Sequence, residues 1–209
     1  MAMTIELYTW GTPNGRKVSI LLEELGLPYS VHPVNIGKDE QFAPDFLKIS
    51  PNNKIPAIVD PDGPGGEPIS VFETGAILTY LAEKTGSELW PTDFRRRTKV
   101  NEWLMFQMGG VGPMFGQANH FLHFNPGKSD YAEQRYRNEA HRLYGVLDKR
   151  LGEVPFIAGD AYSIADIAIY PWVARWEWHQ INLKSLPNVW RWFSELGQRA
   201  AVAKGMSVP

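Results

Sequence analysis

Two short segments place a hydroxyl-bearing residue at the beginning of a predicted helix, where side chains and backbone N–H groups can act together on an anion. Thr12-Pro13 precedes a helical pattern, and Glu73-Thr74 stands where a helix follows a strand directly. Helix N-termini attract anions through unpaired N–H groups and the positive end of the helix dipole. The same residues also suit plain helix capping, with Thr at the N-cap and Pro at the first helical position. Residue type alone leaves capping and anion binding open at both segments.

The 209-residue chain contains no cysteine. It therefore has no disulfide, no thiolate metal site and no thiol nucleophile of its own, and any sulfur chemistry must use a thiol that a ligand brings. Of the five histidines, only His120 and His123 lie close together in the sequence. An i, i+3 pair without a carboxylate at ligand spacing does not indicate a metal site. We expect these two histidines to be structural or pocket-lining, and we expect no metal.

The charge balance argues against a nucleic-acid partner. Twenty-one Lys and Arg against 23 Asp and Glu give a formal net charge of −2, so a strong electrostatic footprint for a polyanion is missing. The basic run Arg95 to Arg97 fits a solvated helix face or an interface better than a phosphate site. No apolar run reaches the roughly 18–20 residues of a membrane-spanning helix. Met1 to Trp10 reads as a strand containing Glu6 rather than as a signal peptide, and we expect a cytoplasmic protein without a membrane partner.

The first half of the chain alternates short strands and helices. Apolar spacing predicts, in order, a strand Ile5 to Trp10, a helix Gly15 to Leu25, a strand Tyr29 to Val34, a short helix Phe42 to Ile49, strands Ala57 to Val59 and Ile69 to Phe72, and a helix Glu73 to Glu83. The order β-α-β-α-β-β-α requires one small mixed sheet with helices on its faces. Gly26 is placed to end the first helix in a left-handed conformation.

The second half contains only long helical patterns. They predict helices at Asp93 to Met108 and Tyr131 to Leu151, a third after the capping box Ser163 to Asp166, and a last one after Pro187. Glycines and a proline after Met108 predict a kink or break, which leaves Gly109 to Phe124 irregular. We therefore divide the chain into an α/β domain at 1–84, a linker at 85–92 and an all-helical domain at 93–209.

This order of elements, with Asn53 to Ile58 and Phe72 to Ile77 set between strands, resembles the cytosolic glutathione S-transferase superfamily over essentially the whole chain. The blocks most similar to bacterial Nu-class glutathione transferases are Thr12 to Val18, Gly37 to Phe42, Ser50 to Asp60 and Tyr131 to Tyr136. The resemblance implies a thioredoxin-like N-terminal domain, an all-α C-terminal domain and a homodimer. It also implies glutathione or glutathione disulfide as ligand, and glutathione-dependent disulfide-bond reduction with weaker transferase and peroxidase activity.

The Nu-class pattern assigns the catalytic role to Thr12 and Asn14, whereas other classes use a Tyr, Ser or Cys near the first helix. A free thiol has a pKa of about 8.5, so little thiolate exists at neutral pH. The Thr12 hydroxyl, the Asn14 amide and the helix N-terminus would together stabilise the glutathione thiolate without a general base. On this interpretation Tyr8, on the first strand, is not the activating group.

The resemblance also implies the residues that bind glutathione. Ile55-Pro56 resembles the cis-proline segment of thioredoxin-like folds, whose backbone pairs with the cysteinyl backbone of the tripeptide. Glu73 would bind the γ-glutamyl ammonium group and Thr74 its carboxylate, although the family usually has Ser at position 74. Three further positions match family residues that contact the peptide or its carboxylates: Gln41, Lys54 and Arg135. From the sequence alone, simple exposure is the favoured explanation for Gln41 and Lys54, and a surface ion pair is the favoured one for Arg135, so these three assignments depend on the resemblance.

Two other functions stay open at this stage. One is an enzyme that conjugates glutathione to a xenobiotic electrophile or reduces hydroperoxides, and the other is a non-catalytic glutathione-binding interaction module. The retention of Thr12, Asn14, Glu73 and Thr74 favours an enzyme, because a scaffold needs only the fold. The sequence does not identify the second substrate, a small electrophile or a disulfide.

Overall fold

The computed structural model describes residues 4–209, which form two compact units. One unit contains the chain up to Ser87 together with Ala200–Pro209, and the other is Glu88–Arg199. The part of the first predicted strand at residues 1–3 lies outside the described residues. Over residues 4–209, every helix is too short or too polar to cross a membrane.

The elements of regular structure follow the predicted order closely. The strands are β1 (Ile5–Thr9), β2 (Tyr29–Pro33), β3 (Ala57–Asp60) and β4 (Ile69–Phe72). The α-helices are α1 (Pro13–Leu25), α2 (Pro44–Ile49), α3 (Thr74–Lys84), α4 (Phe94–Phe106), α5 (Gly112–Ala118), α6 (Asp130–Glu153), α7 (Ile164–Val173), α8 (Pro187–Gly197) and α9 (Ala200–Gly205). The four strands form one sheet in the order β2-β1-β3-β4, with β1 parallel to β2 and the other pairs antiparallel. The predicted mixed sheet is confirmed.

Helix α1 has the predicted capping residues at both ends, and it begins at Pro13, two residues before the predicted range Gly15 to Leu25. The Thr12 hydroxyl oxygen accepts a hydrogen bond from the Gly15 N–H at 3.1 Å, and Pro13 occupies the first turn. Gly26 ends the helix with φ of 63°. On its apolar face, Val18, Leu21 and Leu22 are fully buried. Tight capping and burial therefore fix the position of the α1 N-terminus.

Helix α9 lies in the first unit because it packs on α1. The Ser19 hydroxyl of α1 donates to the Gly205 carbonyl at 2.7 Å, and Lys204 pairs with Glu23 at 2.8 Å. The sequence-based division placed this segment in the helical domain at 93–209, since a short helical pattern carries no information about which unit it will contact. The boundaries 1–84, 85–92 and 93–209 otherwise stay a prediction.

The predicted capping box opens α7 and is confirmed. Ser163 caps the helix, and the buried Asp166 carboxylate accepts from the Ser163 N–H at 3.0 Å and the Ile157 N–H at 2.9 Å. The indole N–H of Trp192 in α8 donates to the same carboxylate at 2.8 Å. Burial raises the pKa of Asp166 while these donors act in the opposite direction. Asp166 thus ties α7, α8 and the preceding loop together.

The prediction of an irregular segment at Gly109 to Phe124 is wrong. The chain remains helical there, with π-helical segments at Gln107–Val111 and Asn119–Phe124 on either side of α5. The N–H of Gly112 bonds to the carbonyl five residues back, at Gln107. This wider turn admits the glycines and places Pro113 at the start of α5, so the proline does not break the helix.

Candidate functional site

A polar cavity of about 220 Å³ lies in the first unit, where the start of α1, the loop before β3 and the start of α3 meet. Its lining residues are Asn14, Ser50, Lys54, Ile55, Pro56, Phe72, Glu73 and Thr74. Six of the nine residues predicted from the sequence are in this set, and Ser50 and Phe72 are additions that the sequence reasoning did not single out. Two helix N-termini and a strand edge therefore converge on one space.

The position of the cavity wall formed by α1 is determined by a close contact between the first turn of this helix and the end of β1. A Cβ atom on Gly15 would lie 2.4 Å from both the Thr9 hydroxyl oxygen and the Trp10 carbonyl, so only glycine lets the helix begin there. The Thr12 cap uses its hydroxyl oxygen as an acceptor, and a hydroxyl also carries one hydrogen to donate. Capping by Thr12 is confirmed, whereas its action on a ligand stays a prediction. Asn14 lies on the same first turn and lines the cavity.

The cavity wall ahead of β3 consists of the loop at residues 50–54 and of the Ile55-Pro56 peptide bond, which is cis as predicted. The buried Ser50 hydroxyl donates to the Lys54 carbonyl at 2.7 Å and closes the loop. Asn53 adopts a left-handed conformation with φ of 50° inside that turn. The loop holds Lys54 with its side chain exposed at the cavity rim.

The α3 wall begins with a strained residue. Glu73 has φ of 71° and ψ of 120°, an uncommon conformation for a residue with a side chain. Its carbonyl accepts from the Ile77 N–H at 2.9 Å, which starts the helix. Within the described chain, the Glu73 side chain makes no capping bond to the first turn, and it is exposed. Thr74 follows it and is buried. The first turn of α3 therefore faces the cavity with its positive dipole end.

Behind this wall lies Lys17, a buried cation that sequence reasoning did not select. Its side chain is 1% exposed, and its ammonium group donates to the Thr74 hydroxyl oxygen at 3.2 Å. Burial lowers the pKa of Lys17 to about 7, and the negative charge of Glu73 acts in the opposite direction. A signal was present in the sequence, because Lys17 lies four residues before Leu21 on the apolar face of α1.

Three predicted site residues lie outside the lining of this cavity. Thr12 precedes it as the α1 cap. Gln41 lies in a short 3-10 turn, where its side-chain amide donates to the Asp39 carboxylate at 3.4 Å. Arg135 belongs to the second unit and lines a groove of about 560 Å³ on α6 with Glu139. The structure does not bring Arg135 into the lining of the first unit's cavity.

The two neighbouring histidines are engaged by aromatic side chains. His123 stacks on Trp178 with ring centroids 3.9 Å apart, and His120 meets Phe121 edge-on at 4.8 Å. Among residues 4–209, no cluster of three or more His, Asp or Glu side chains is arranged to hold a metal ion.

A thioredoxin-like sheet, an all-helical second unit and a cavity between two helix N-termini define a glutathione-transferase type of protein. Residues 12–84 match the N-terminal domain of glutathione S-transferases, and residues 130–195 match the C-terminal domain. Together with the relatives below, these matches show that the chain belongs to the glutathione S-transferase family.

The chain is similar to relatives along nearly its entire length. It is 50% identical to the disulfide-bond oxidoreductase YfcG of Escherichia coli over 97% of this chain and 94% of the relative. A glutathione transferase family member from Pseudomonas fluorescens, solved with two glutathiones bound, shares 46% identity at a TM-score of 0.93, covering 99% of this chain and 93% of the other. A glutathione transferase from Pseudomonas putida, solved with one glutathione disulfide bound per subunit, shares 47% identity at a TM-score of 0.93, covering 99% and 92%.

Proposed function

We propose that this protein binds glutathione or glutathione disulfide in the cavity of the first unit and uses the glutathione thiolate to reduce disulfide bonds. The observation that carries the proposal is the convergence of the α1 and α3 N-termini on one polar cavity. Both helix ends favour negative charge, and glutathione carries two carboxylates and a titratable thiol. The names of the relatives, an oxidoreductase and glutathione-bound transferases, support the same reading.

In the proposed complex the tripeptide spans the cavity from α3 to α1. The γ-glutamyl carboxylate lies at the α3 start beside Thr74, and the exposed Glu73 carboxylate receives the ammonium group. The backbone of Ile55, ahead of Pro56, pairs with the cysteinyl residue as an added strand would. Three cationic or polar side chains would contact the rest of the peptide: Gln41, Lys54 and Arg135.

The reaction needs no thiol from the protein. A glutathione thiolate attacks one sulfur of the substrate disulfide, the S–S bond breaks, and a mixed disulfide and a substrate thiolate result. A second glutathione thiolate attacks the glutathione sulfur of the mixed disulfide, which forms glutathione disulfide and releases the second substrate thiolate. Each departing substrate thiolate takes up a proton, so one substrate disulfide and two glutathione thiols are converted into two substrate thiols and one glutathione disulfide. The protein supplies binding and stabilisation of the attacking anion.

Thr12 and Asn14 carry that stabilisation in our proposal. The Thr12 hydroxyl hydrogen and the Asn14 amide would donate to the sulfur, and each such donor lost would raise the barrier by about 1–3 kcal/mol. We expect the thiolate of bound glutathione, titrated by its ultraviolet absorbance, to have a pKa below the free value of about 8.5. Thr12→Ala/Asn14→Ala should move it back toward that value and lower turnover more than binding. Thr12→Ser keeps both the cap and the hydroxyl and should behave like the wild type.

The activity itself is tested by comparing two substrates with glutathione, a model dialkyl disulfide and a chlorodinitrobenzene-type electrophile. We expect faster turnover of the disulfide, and no turnover when glutathione is replaced by its S-methyl form, which has no thiol. Preference for the electrophile would make the protein a conjugating transferase. Binding of glutathione without turnover of either substrate would make it a non-catalytic module.

The remaining assignments are part of the same proposal. We place the protein in the Nu class, as a homodimer in the cytoplasm, with a two-fold interface that covers part of α4. Sedimentation at micromolar concentration should show a dimer, and a monomer would contradict the assembly. Arg135→Ala should weaken glutathione binding without loss of fold, because its side chain lines an open groove on α6.

A further inference from the structure

Arg16 carries a positive charge one helical turn after Thr12, and the proposed reaction makes no use of it. The Arg16 N–H donates to the Thr12 carbonyl at 3.1 Å, so the two residues lie one above the other on α1. Side chains of an α-helix lean toward its N-terminus, and the Arg16 side chain therefore extends along the first turn toward Thr12. Because four residues of helix rise only about 6 Å, its charge lies near the helix end that holds the proposed thiolate.

The Arg16 guanidinium has no partner within residues 4–209. Its Nε is buried without a hydrogen bond, and burial alone lowers the pKa of Arg16, with no carboxylate acting on it. A guanidinium nevertheless stays charged near neutral pH. Other basic side chains of the first unit form ion pairs with Asp or Glu: Lys48, Lys84 and Lys204. A half-buried cation without such a partner favours a negative group that arrives from outside the protein.

The packing along this face of α1 restricts the Arg16 side chain. The same face continues to Ser19 and Glu23, and both residues contact α9. After α9 the chain runs back along α1, and the carbonyl carbon of Pro209 would lie 3.0 Å from a Cβ atom on Gly11. Arg16 stands between these contacts along the helix, which accounts for its partial burial. A partly enclosed side chain has fewer conformations, so its charge is held near the start of α1.

The position of Arg16 suits the second substrate better than glutathione itself. In the proposed complex the glutathione sulfur lies at the start of α1, and the peptide extends from there toward α3. Arg16 lies outside the lining of the cavity that would hold the peptide. The substrate disulfide must approach the glutathione sulfur from outside the peptide, so the groups attached to its sulfurs come to the start of α1. A guanidinium binds a carboxylate through two parallel hydrogen bonds.

We propose that Arg16 is a specificity-determining residue that favours disulfide substrates carrying a carboxylate a few bonds from the attacked sulfur. This inference rests on the proposed function and names a substrate class for it. The exchange reaction is unchanged, because Arg16 binds the substrate and takes no part in breaking the S–S bond. A positive charge that acted only on the thiolate would help all disulfides alike, whereas a contact with the substrate carboxylate helps only the negatively charged ones.

Three small disulfides of similar size test the inference. Dithiodiglycolate carries carboxylates, bis-hydroxyethyl disulfide is neutral and cystamine carries ammonium groups. We measure kcat/KM for each at saturating glutathione in the wild type and in Arg16→Gln, so that differences in intrinsic reactivity cancel between the two proteins. The preference for the anionic over the neutral disulfide should fall roughly tenfold in Arg16→Gln, the size of one hydrogen bond to a charged group. The relative rate with cystamine should rise.

Two results would overturn the inference. One is an unchanged ratio between the three disulfides in Arg16→Gln, and the other is an equal loss for all three, which would show an effect on the thiolate or on the fold alone. Lys48→Gln is the matched control, because it removes one positive charge from an exposed ion pair with Asp45 in the same unit. It should keep the ratios of the wild type. If Arg16→Gln does not fold, Arg16→Met takes its place and should show the same fall, because it keeps an apolar stem without the charge.

The outcomes also separate this inference from the proposed function. If the wild type reduces none of the three disulfides with glutathione, both fail. If it reduces them and Arg16→Gln keeps the same ratios, the inference fails and the function stands. A change in KM for glutathione with unchanged ratios would assign Arg16 to glutathione binding and would likewise contradict the inference.

Discussion

Replacing Lys17 by methionine should change how the stability of the protein depends on pH. In the folded state, burial lowers the pKa of Lys17 from an ordinary value of 10.5 to about 7. Between these two values the unfolded chain holds a proton on Lys17 that the folded chain has lost. Stability must therefore rise with pH through this window and fall as pH drops toward 7, while below 7 both states are protonated and the contribution is constant.

The size of the effect follows from the two pKa values. Raising the pH from about 7 to about 9 should add about 2 kcal/mol to the free energy of unfolding through Lys17 alone. Lys17→Met has no proton to exchange at this position, so it should lack this increment. The ordinary groups that titrate in the same range are common to both proteins, and they cancel in the difference between them.

Urea unfolding of the wild type and Lys17→Met, carried out near pH 7 and near pH 9, measures this difference. The gap between the two proteins should change by about 2 kcal/mol, with methionine relatively more stable at the lower pH. Thr74→Val is the control, because it removes the hydrogen bond at 3.2 Å but keeps the buried lysine, and its pH dependence should resemble that of the wild type. A gap that stays constant with pH would refute a Lys17 that loses its proton on folding.

Glu73→Ala should weaken glutathione affinity by roughly 1.5–3 kcal/mol, the range for hydrogen bonds to charged groups, and calorimetry with circular dichroism as the folding control checks it. An unchanged affinity would remove Glu73 from the binding site. Asp166→Ala should lower the free energy of unfolding by about 3–5 kcal/mol, because three N–H donors, from Ile157, Ser163 and Trp192, lose a buried acceptor. Unfolding in urea measures this, and a loss below about 1 kcal/mol would contradict the role of Asp166 in joining α7 and α8.

Most of the fold could be predicted from sequence signals that act within a few residues. Thr12, Pro13 and Gly26 mark the two ends of α1 by chemistry that acts within one helical turn, and the structure confirms each of them. The capping box at Ser163 works in the same way. Such signals are readable because a cap satisfies backbone groups a few residues away, whatever the rest of the chain does.

The errors arose where distant contacts decide the structure. Gly109 to Phe124 contains glycines and a proline that break helices on average, and the chain remains helical there through π-turns at Gln107–Val111 and Asn119–Phe124. Helix α9 is a short pattern whose packing on α1 depends on the close approach at Gly205. Propensity describes the residue and its neighbours, whereas these features depend on what packs against them.

In the candidate site, too, some residues could be predicted from the sequence and others depend on contacts that form only on folding. The resemblance to a family selected Asn14, Lys54, Ile55-Pro56 and Glu73-Thr74, and these residues line one cavity. Ser50 could not be predicted as a site residue, because its hydrogen bond to the Lys54 carbonyl exists only once the loop has folded. Their positions in one cavity are observed, and their roles in binding and catalysis stay predictions.

Lys17 connects the stability of the first unit to its proposed chemistry. A buried lysine destabilises the folded state at neutral pH, and an apolar side chain of the same length would avoid that penalty. The hydrogen bond to the Thr74 hydroxyl offsets part of that penalty, since hydrogen bonds to charged groups contribute about 1.5–3 kcal/mol. The negative charge of Glu73 acts on the pKa of Lys17 in the opposite direction to burial and so favours its charged form. The N-termini of α1 and α3 both lie at the cavity next to Thr74. A negatively charged ligand there would interact favourably with both helix dipoles and with the positive charge of Lys17.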